Sequence, residues 1–433
     1  MTATVTDAPE IGSDGDAVLG YLAEVLTSLG GLVPGGGPVS DAVRIDRIGL
    51  LEKLKGAVAA VQAAETVKFA QSQVAAQQAA GVDYRKLGRG IADQIALAVK
   101  VGPYEGSRRL TLARALWFDL PQTYALLVHG QISEYVAHLV AGETNHLSSG
   151  LRQHVDQQLV AAGLHTMAPK EAAATARKLA YAADPEGSLR RGRTARAQRR
   201  VSLRPAPDTM AILNAFLPVE QGVACYASLK AHTDARKADG DARSRDQIMA
   251  DTLVERLTGH VAADDVHAEV QITMPIDALL DPKHPAPAHL ASHGPIPAWL
   301  AHEIMLGGQG RRWWRRLFTA PASTGGPTIV AGDPTRRRFD GWLGNLIKLR
   351  DQYCREPLCT ALIRHIDHIR RYSEGGLTTL SNGRGVCERH NHTREMPGWH
   401  LTPINDGRQP GDHTIIITTP TGHHYLSRPP TPP

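Results

Sequence analysis

The chain has 433 residues, a formal net charge of +5, only 5% aromatic residues and abundant alanine. That length can hold two or three domains, and the composition favours helices packed through small side chains. No apolar run of about 18 residues occurs, and the opening MTATVTDAPEIGSDGD is acidic without a basic, apolar leader, so neither a membrane span nor a secretory signal is expected. Three of the four cysteines fall between Cys354 and Cys387, a distribution that suits metal-bound thiolates in a reducing, cytoplasmic setting.

In chain order, residues 1–18 read as a disordered lead and Ala17 to Gly30 as a short helix. LVPGGGP, Leu32 to Pro38, is a breaker loop, and Ser40 caps a long helix reaching about Gln78. Val43, Ile48, Leu51, Leu54, Val58 and Val61 are expected to form its buried stripe. From Tyr104 to about Tyr181 the pattern stays helical, broken near Pro121, Gly130 and Gly163. The stretch LPQTYALLVHGQISEYVAHLVAGE has the outline of a helix-turn-helix. The start of its second helix (Glu134, Tyr135, Val136, Ala137) lacks the basic and polar face a recognition helix needs, so two packed helices of a bundle are the better reading.

LRRGRTARAQRR, Leu189 to Arg200, is the densest basic run, a solvated linker or an accessory phosphate contact. Val201–Leu203 and Thr209–Leu213 flank a Pro-containing turn, the stretch to Gly259 is helical, and Ala268 to Met274 alternates as a strand. Cys225 sits in an apolar helical pattern and reads as a small buried residue. A helix restarts at Pro297. RRWWRRLFT, with Trp313 and Trp314 as apolar anchors, leads through Gly325-Gly326 and PTIV as a hairpin. A terminal hairpin turning at Pro420 to Gly422 is expected to pack on the preceding module, and RPPTPP ends the chain as an extended tail.

The chemistry concentrates between Tyr353 and Arg394. Cys354-x4-Cys359 and Cys387-x2-His390 make two short clips whose three thiolates and one imidazole can close a tetrahedron around a structural Zn2+. Between Arg311 and Arg371 thirteen Lys or Arg stand against five Asp or Glu, a local balance of +8 that leaves the rest of the chain at −3. A basic face at this end suits a polyanion.

The order Asp367-His368, Gly375-Gly376-Leu377-Thr378, Asn382, Cys387-x2-His390-Asn391 resembles the HNH endonuclease signature in an H-N-N form. The resemblance implies a β-hairpin followed by a helix around one divalent ion. It casts His368 as general base, and Asp367 and Asn391 as ligands of a catalytic Mg2+ or Mn2+. Asn382 would orient the strand carrying His368. Arg364, Arg370, Arg371 and Arg394 would contact DNA phosphates. Two positions depart from the common pattern: Asn391 stands where the family has a histidine, with His392 beside it as a substitute under a shifted register, and His390 stands where related modules often have cysteine.

From Tyr104 to Arg350 the chain resembles the helical region, domain of unknown function 222, that precedes HNH modules in the 13E12 repeat family. LPQTYALLVHGQIS, RSRDQIMADTLVERL and HGPI leading to RRF and RDQYC carry that resemblance. The expected architecture is mainly α with α+β parts: a helical domain at 19–200, an α+β continuation at 201–335, an HNH module with its terminal hairpin at 336–428, and a tail at 429–433. The expected activity is metal-dependent hydrolysis of DNA to 5′-phosphate and 3′-hydroxyl ends, by nicking or, in a homodimer, by double-strand cutting. The alternative is a non-catalytic DNA-binding or regulatory protein in which the zinc module is only a scaffold.

Overall fold

The computed structural model describes residues 17–31, 40–259, 272–290, 294–306, 319–321, 327–329, 338–339, 341–404 and 413–430. The expected lead at 1–16, the Leu32 to Pro38 loop, residues 268–271 of the expected strand, Trp313 and Trp314, the Gly325-Gly326 turn and the last residues of the tail lie outside these. The described chain is mostly helical, with small antiparallel sheets toward the C-terminus. It divides into two compact units, one formed by Met1–Ala183, Met396–His400 and Thr418–Tyr425, the other by Asp184–Glu395, Leu401–Ile417 and Leu426–Pro433. Among the described residues, no helix is long and apolar enough to cross a membrane.

The first unit is built from α1 (Ala17–Gly31), α2 (Asp41–Ala79), α3 (Ile91–Ala98), α4 (Pro103–Arg114), α5 (Pro121–Val128), α6 (Glu134–Thr144), α7 (Ser149–Ala161) and α8 (Pro169–Ala183). Ser40 caps α2 through its hydroxyl, which accepts from the Val43 amide, and Ser133 caps α6 in the same way. The core joins Ala60, Ala63 and Val67 of α2 to Leu112, Leu116, Leu127, Val136, Val140 and Leu159. Because α5 and α6 give their apolar sides to this core, they are members of a bundle and not a free helix-turn-helix.

The stripe expected on α2 is not the buried one. Val43, Ile48, Leu51, Leu54, Val58 and Val61 are all exposed, whereas Gly56, Ala60, Ala63, Val67 and Ala70 are buried. The bundle grips α2 through its small residues. A Cβ on Gly56 would stand 3.0 Å from the Ile132 carbonyl oxygen, so a larger residue there would push that backbone away by a few tenths of an ångström.

The start of α5 is capped from another helix. Asp156 on α7, wholly buried, accepts from the amides of Gln122 (2.7 Å) and Thr123 (3.1 Å), while Arg152 ties α7 to Asp119 (2.9 Å). Burial pushes the Asp156 carboxyl up from its ordinary range even though these donors favour its charged form.

In the second unit α9 (Pro185–Ala197) runs into an antiparallel hairpin, β1 (Arg200–Pro205) and β2 (Ala211–Phe216). Next come α10 (Val219–Ala238) and α11 (Arg245–Thr258), the latter opened by a capping box of Ser244 and Gln247. Cys225 on α10 is exposed, contrary to expectation, because among the described residues of α10 only Thr233 is buried. A three-stranded sheet of β3 (Ile272–Thr273), β4 (Ala288–Leu290) and β5 (Gly294–Ile296) follows, with α12 (Ile276–Leu280) between β3 and β4, and then α13 (Ala298–Leu306). The hairpin expected around Gly325-Gly326 is represented by the paired strands β6 (Thr319–Pro321) and β7 (Pro327–Ile329).

The C-terminal module comprises α14 (Gly341–Asp351), β8 (His365–His368), β9 (Gly383–Val386) and α15 (Glu388–Thr393). The chain ends in a sheet of β10 (His400–Pro403), β11 (Ile415–Thr418) and β12 (His424–Ser427).

Candidate metal centre and hairpin site

Strands β8 and β9 pair antiparallel with His365 opposite Val386, Ile366 opposite Gly385, Asp367 opposite Arg384 and His368 opposite Gly383. The loop between them turns tightly where Gly376 meets the Arg370 carbonyl; a Cβ there would sit 1.9 Å from that oxygen. Asn382 fastens the loop. Its Oδ1 accepts from the Arg370 amide (2.8 Å), and its Nδ2 donates to the carbonyls of Leu377 (2.7 Å) and Arg370 (3.1 Å).

Four residues that could hold a metal ion come from both sides of this hairpin. Cys354 and Cys359 bracket a knuckle, with the Cys354 amide bonded to the Ala361 carbonyl and the Cys359 amide to Glu356. Cys387 is the N-cap of α15, and His390 follows in its first turn. All four are buried, with ligand atoms within 4.8 Å of one another, and the Cys354 and Cys387 sulfurs each lie 3.3 Å from His390 Nδ1.

A tetrahedral Zn2+ needs donor atoms about 3.5–3.8 Å apart, so the cluster fits the ion, with Nδ1 as the imidazole donor. The sulfurs interact strongly with one another. Hydrogen bonding to Cys359 and Cys387, with burial, holds the Cys354 thiol well above its usual range, while the bond from Cys354 draws Cys387 far below. Three sulfurs this close can all be thiolates only around a cation.

Beneath the clip lies a buried ion network absent from the sequence expectations. Asp351, at the end of α14, accepts from Arg350 (2.7 Å), Arg355 (2.9 Å) and the Gly385 amide of β9 (2.6 Å). Arg350 also donates to the carbonyls of Leu380 and Gly383, both at 2.6 Å. Arg355 reaches His413 Nδ1 (2.8 Å) and the Ser427 carbonyl (3.0 Å), which ties the residues flanking β11 and β12 to the knuckle, whereas the Thr418–Tyr425 turn of the expected terminal hairpin groups with the first unit. His413 can accept that bond because burial, with Arg350 and Arg355 nearby, lowers its pKa and keeps the ring neutral.

Burial alone would raise the Asp351 pKa, but the two guanidiniums outweigh it and the carboxyl is held well below its ordinary range. A depressed carboxylate contributes stability that is complete above its unfolded pKa and disappears as pH falls through the folded one. The module should therefore lose this contribution only in strong acid. Replacing Asp351 with Asn should cost about 3–5 kcal/mol, because two buried guanidiniums lose their counter-charge; denaturant titration of the full chain measures it.

Asp367 and His368 leave β8 on opposite faces, as neighbours on a strand must. His368 Nε2 lies 3.0 Å from the Thr378 hydroxyl, and its ring stands between Phe339 (centroids 4.5 Å) and Tyr372 (5.7 Å). Asp367 Oδ2 instead pairs with Arg394 and faces Arg384 at 3.7 Å. Arg394 is 7% exposed and also donates to the carbonyls of His368 and Ile369. Its guanidinium is thus spent inside the fold, not offered to a DNA phosphate as the resemblance implied.

Arg371 is bound to Glu395 (2.9 Å), whereas Arg364 and Arg370 are exposed. Asn391 is half-buried on α15 and His392 is exposed. Asp367 and Asn391 are oxygen donors of the right chemistry for Mg2+ or Mn2+. With its charge already met by Arg394, however, Asp367 does not present a free carboxylate, and the pair does not fit a resident divalent ion in this arrangement. Among the described residues, the Cys3His cluster is the one grouping of three or more His, Cys or acidic side chains placed to share an ion.

Thr378, Arg384, Phe339 and Tyr372 were missed as site residues. Only Thr378 carries a signal in the sequence, as the last residue of the Gly375-Gly376-Leu377-Thr378 stretch. Fold and site together define a mostly helical protein with a Cys3His metal module on a β-hairpin and helix. The chain belongs to the family described as Domain of unknown function (DUF222), which matches residues 49–277, more than half of its length; that domain is commonly found with HNH nucleases. No curated protein and no solved structure gives a match.

Proposed function

We propose that the C-terminal module is a DNA endonuclease in which His368 accepts the proton of the attacking water. The observation that carries this reading is the position of His368: the last residue of a strand paired to β9, in a module clipped by the Cys3His cluster, with its ring anchored at Nε2 by Thr378. A ring held on three sides keeps its aim, which general-base catalysis requires. Asn382 serves as the positioning residue, since it locks the loop that follows His368. The exposed Arg364 and Arg370 supply positive charge for the phosphate backbone. With one His368 per chain, a single copy cuts one strand, and two copies are needed for both.

The alternative, a non-catalytic DNA-binding or regulatory protein stapled by zinc, is favoured by one specific feature, the Arg394 pair that neutralises Asp367. Incubating supercoiled plasmid with the full chain in a series of Mg2+, Mn2+ and chelator separates the two. Divalent-ion-dependent nicking with 5′-phosphate ends supports the enzyme and means that the ion competes with Arg394 for Asp367; binding without nicking under every condition supports the scaffold. Replacing Arg394 with Ala should then strengthen Mn2+ binding in the full chain, read by calorimetry, although the lost contacts lower its melting temperature.

A further inference from the structure

The β1–β2 hairpin is amphipathic, and among the described residues nothing covers either of its sides. The register sets Arg200 opposite Phe216, Ser202 opposite Asn214 and Arg204 opposite Ile212, which gathers these six side chains on one face. The other face holds Val201, Leu203, Leu213 and Ala215. All twelve strand residues are exposed. That face carries Arg200 and Arg204, and the chain leading into it from Leu189 to Arg199 adds five more arginines and no acid. The Arg200 guanidinium carbon lies 4.8 Å from the centroid of the Phe216 ring, a cation–π contact.

We infer that this face is a docking site for duplex DNA, with the ribbon lying in the major groove and α9 alongside the phosphates. A two-stranded ribbon is narrow enough for that groove, about 12 Å wide. Alternate residues on a strand are about 6.8 Å apart, the rise of two base pairs at about 3.4 Å each. Arg200, Ser202 and Arg204 therefore meet base edges in step, and each is a hydrogen-bonding side chain. Asn214 adds a fourth from the facing strand. On α9, Arg196 is paired with Glu220 (2.8 Å), and Arg190 approaches Asp184 and Glu186 only at 3.8–4.0 Å with 69% of its side chain exposed. Such exposed pairs are weak and readily exchanged for phosphate. The hairpin falls inside the stretch matched by the family and apart from the Cys3His module, so this inference does not depend on cleavage there.

The test is binding of a random-sequence 30-base-pair duplex by the full chain carrying His368→Ala, measured with zinc retained and no Mg2+ or Mn2+ added so that no strand is cut. Replacing Arg200 and Arg204 together with Ala should weaken binding at least about tenfold and reduce the enrichment of particular sequences selected from that random pool. A matched pair on the next helices, Lys230→Ala with Arg256→Ala, should leave both unchanged. Unchanged circular dichroism checks that the hairpin variant is folded. The inference fails if the hairpin variant binds like its parent, if the control pair loses as much, or if the parent does not bind duplex at all.

Discussion

Stripping the full chain of zinc, or replacing Cys387 with Ser, is expected to unfold the C-terminal module while the helical unit built from α2 to α8 persists. Zinc binding contributes on the order of 10 kcal/mol in small zinc-folded peptides, more than a small hairpin-and-helix module can make up by burial alone. Cys387 caps α15 and stands next to Val386 of β9, so losing it frees a helix and a strand together. Metal analysis should give one zinc per chain for the parent and less for the variant. Limited proteolysis should then cut between residues 341 and 404 only after chelation. A parent protein without zinc, or a variant resistant to protease, would refute the assignment of the cluster.

Replacing His368 with Ala is expected to lower the rate of plasmid nicking by about 10²–10⁴-fold, the range that general-base catalysis supplies. Duplex affinity and zinc content should stay at parental values. Thr378→Val should give a smaller loss, because the ring remains between Phe339 and Tyr372 but loses the hydroxyl at Nε2. If His368→Ala nicks at the parental rate, the imidazole is a packed core group and the proposed chemistry is wrong.

Much of this was legible in the sequence, for reasons that are local. Ser40, Ser133 and Ser244 announce helix starts because a short hydroxyl side chain can reach the free amides of a first turn. The cysteine and histidine spacings announce the clip because a knuckle and one helical turn bring their ligands together. What escaped depended on contacts far apart in the chain.

The grip on α2 falls on Gly56, Ala60 and Ala63, which counting large apolar residues overlooks in favour of the exposed Ile48 and Leu51. Arg394 looks the same in sequence whether it faces a phosphate or Asp367. Asp351 and Arg355, four residues apart around Cys354, resemble an ordinary surface pair until β9 closes over them.

Asp351 has a consequence for how this chain would answer to genetics. One carboxylate holds the end of α14, the knuckle of the metal clip and the backbone of the strand beside His368, although it is wholly enclosed and can meet no ligand. In a screen for inactive alleles, substitutions at Asp351 and Arg355 would score as severely as those at His368. Only a stability measurement on the purified variants would distinguish a broken framework from a missing reactant.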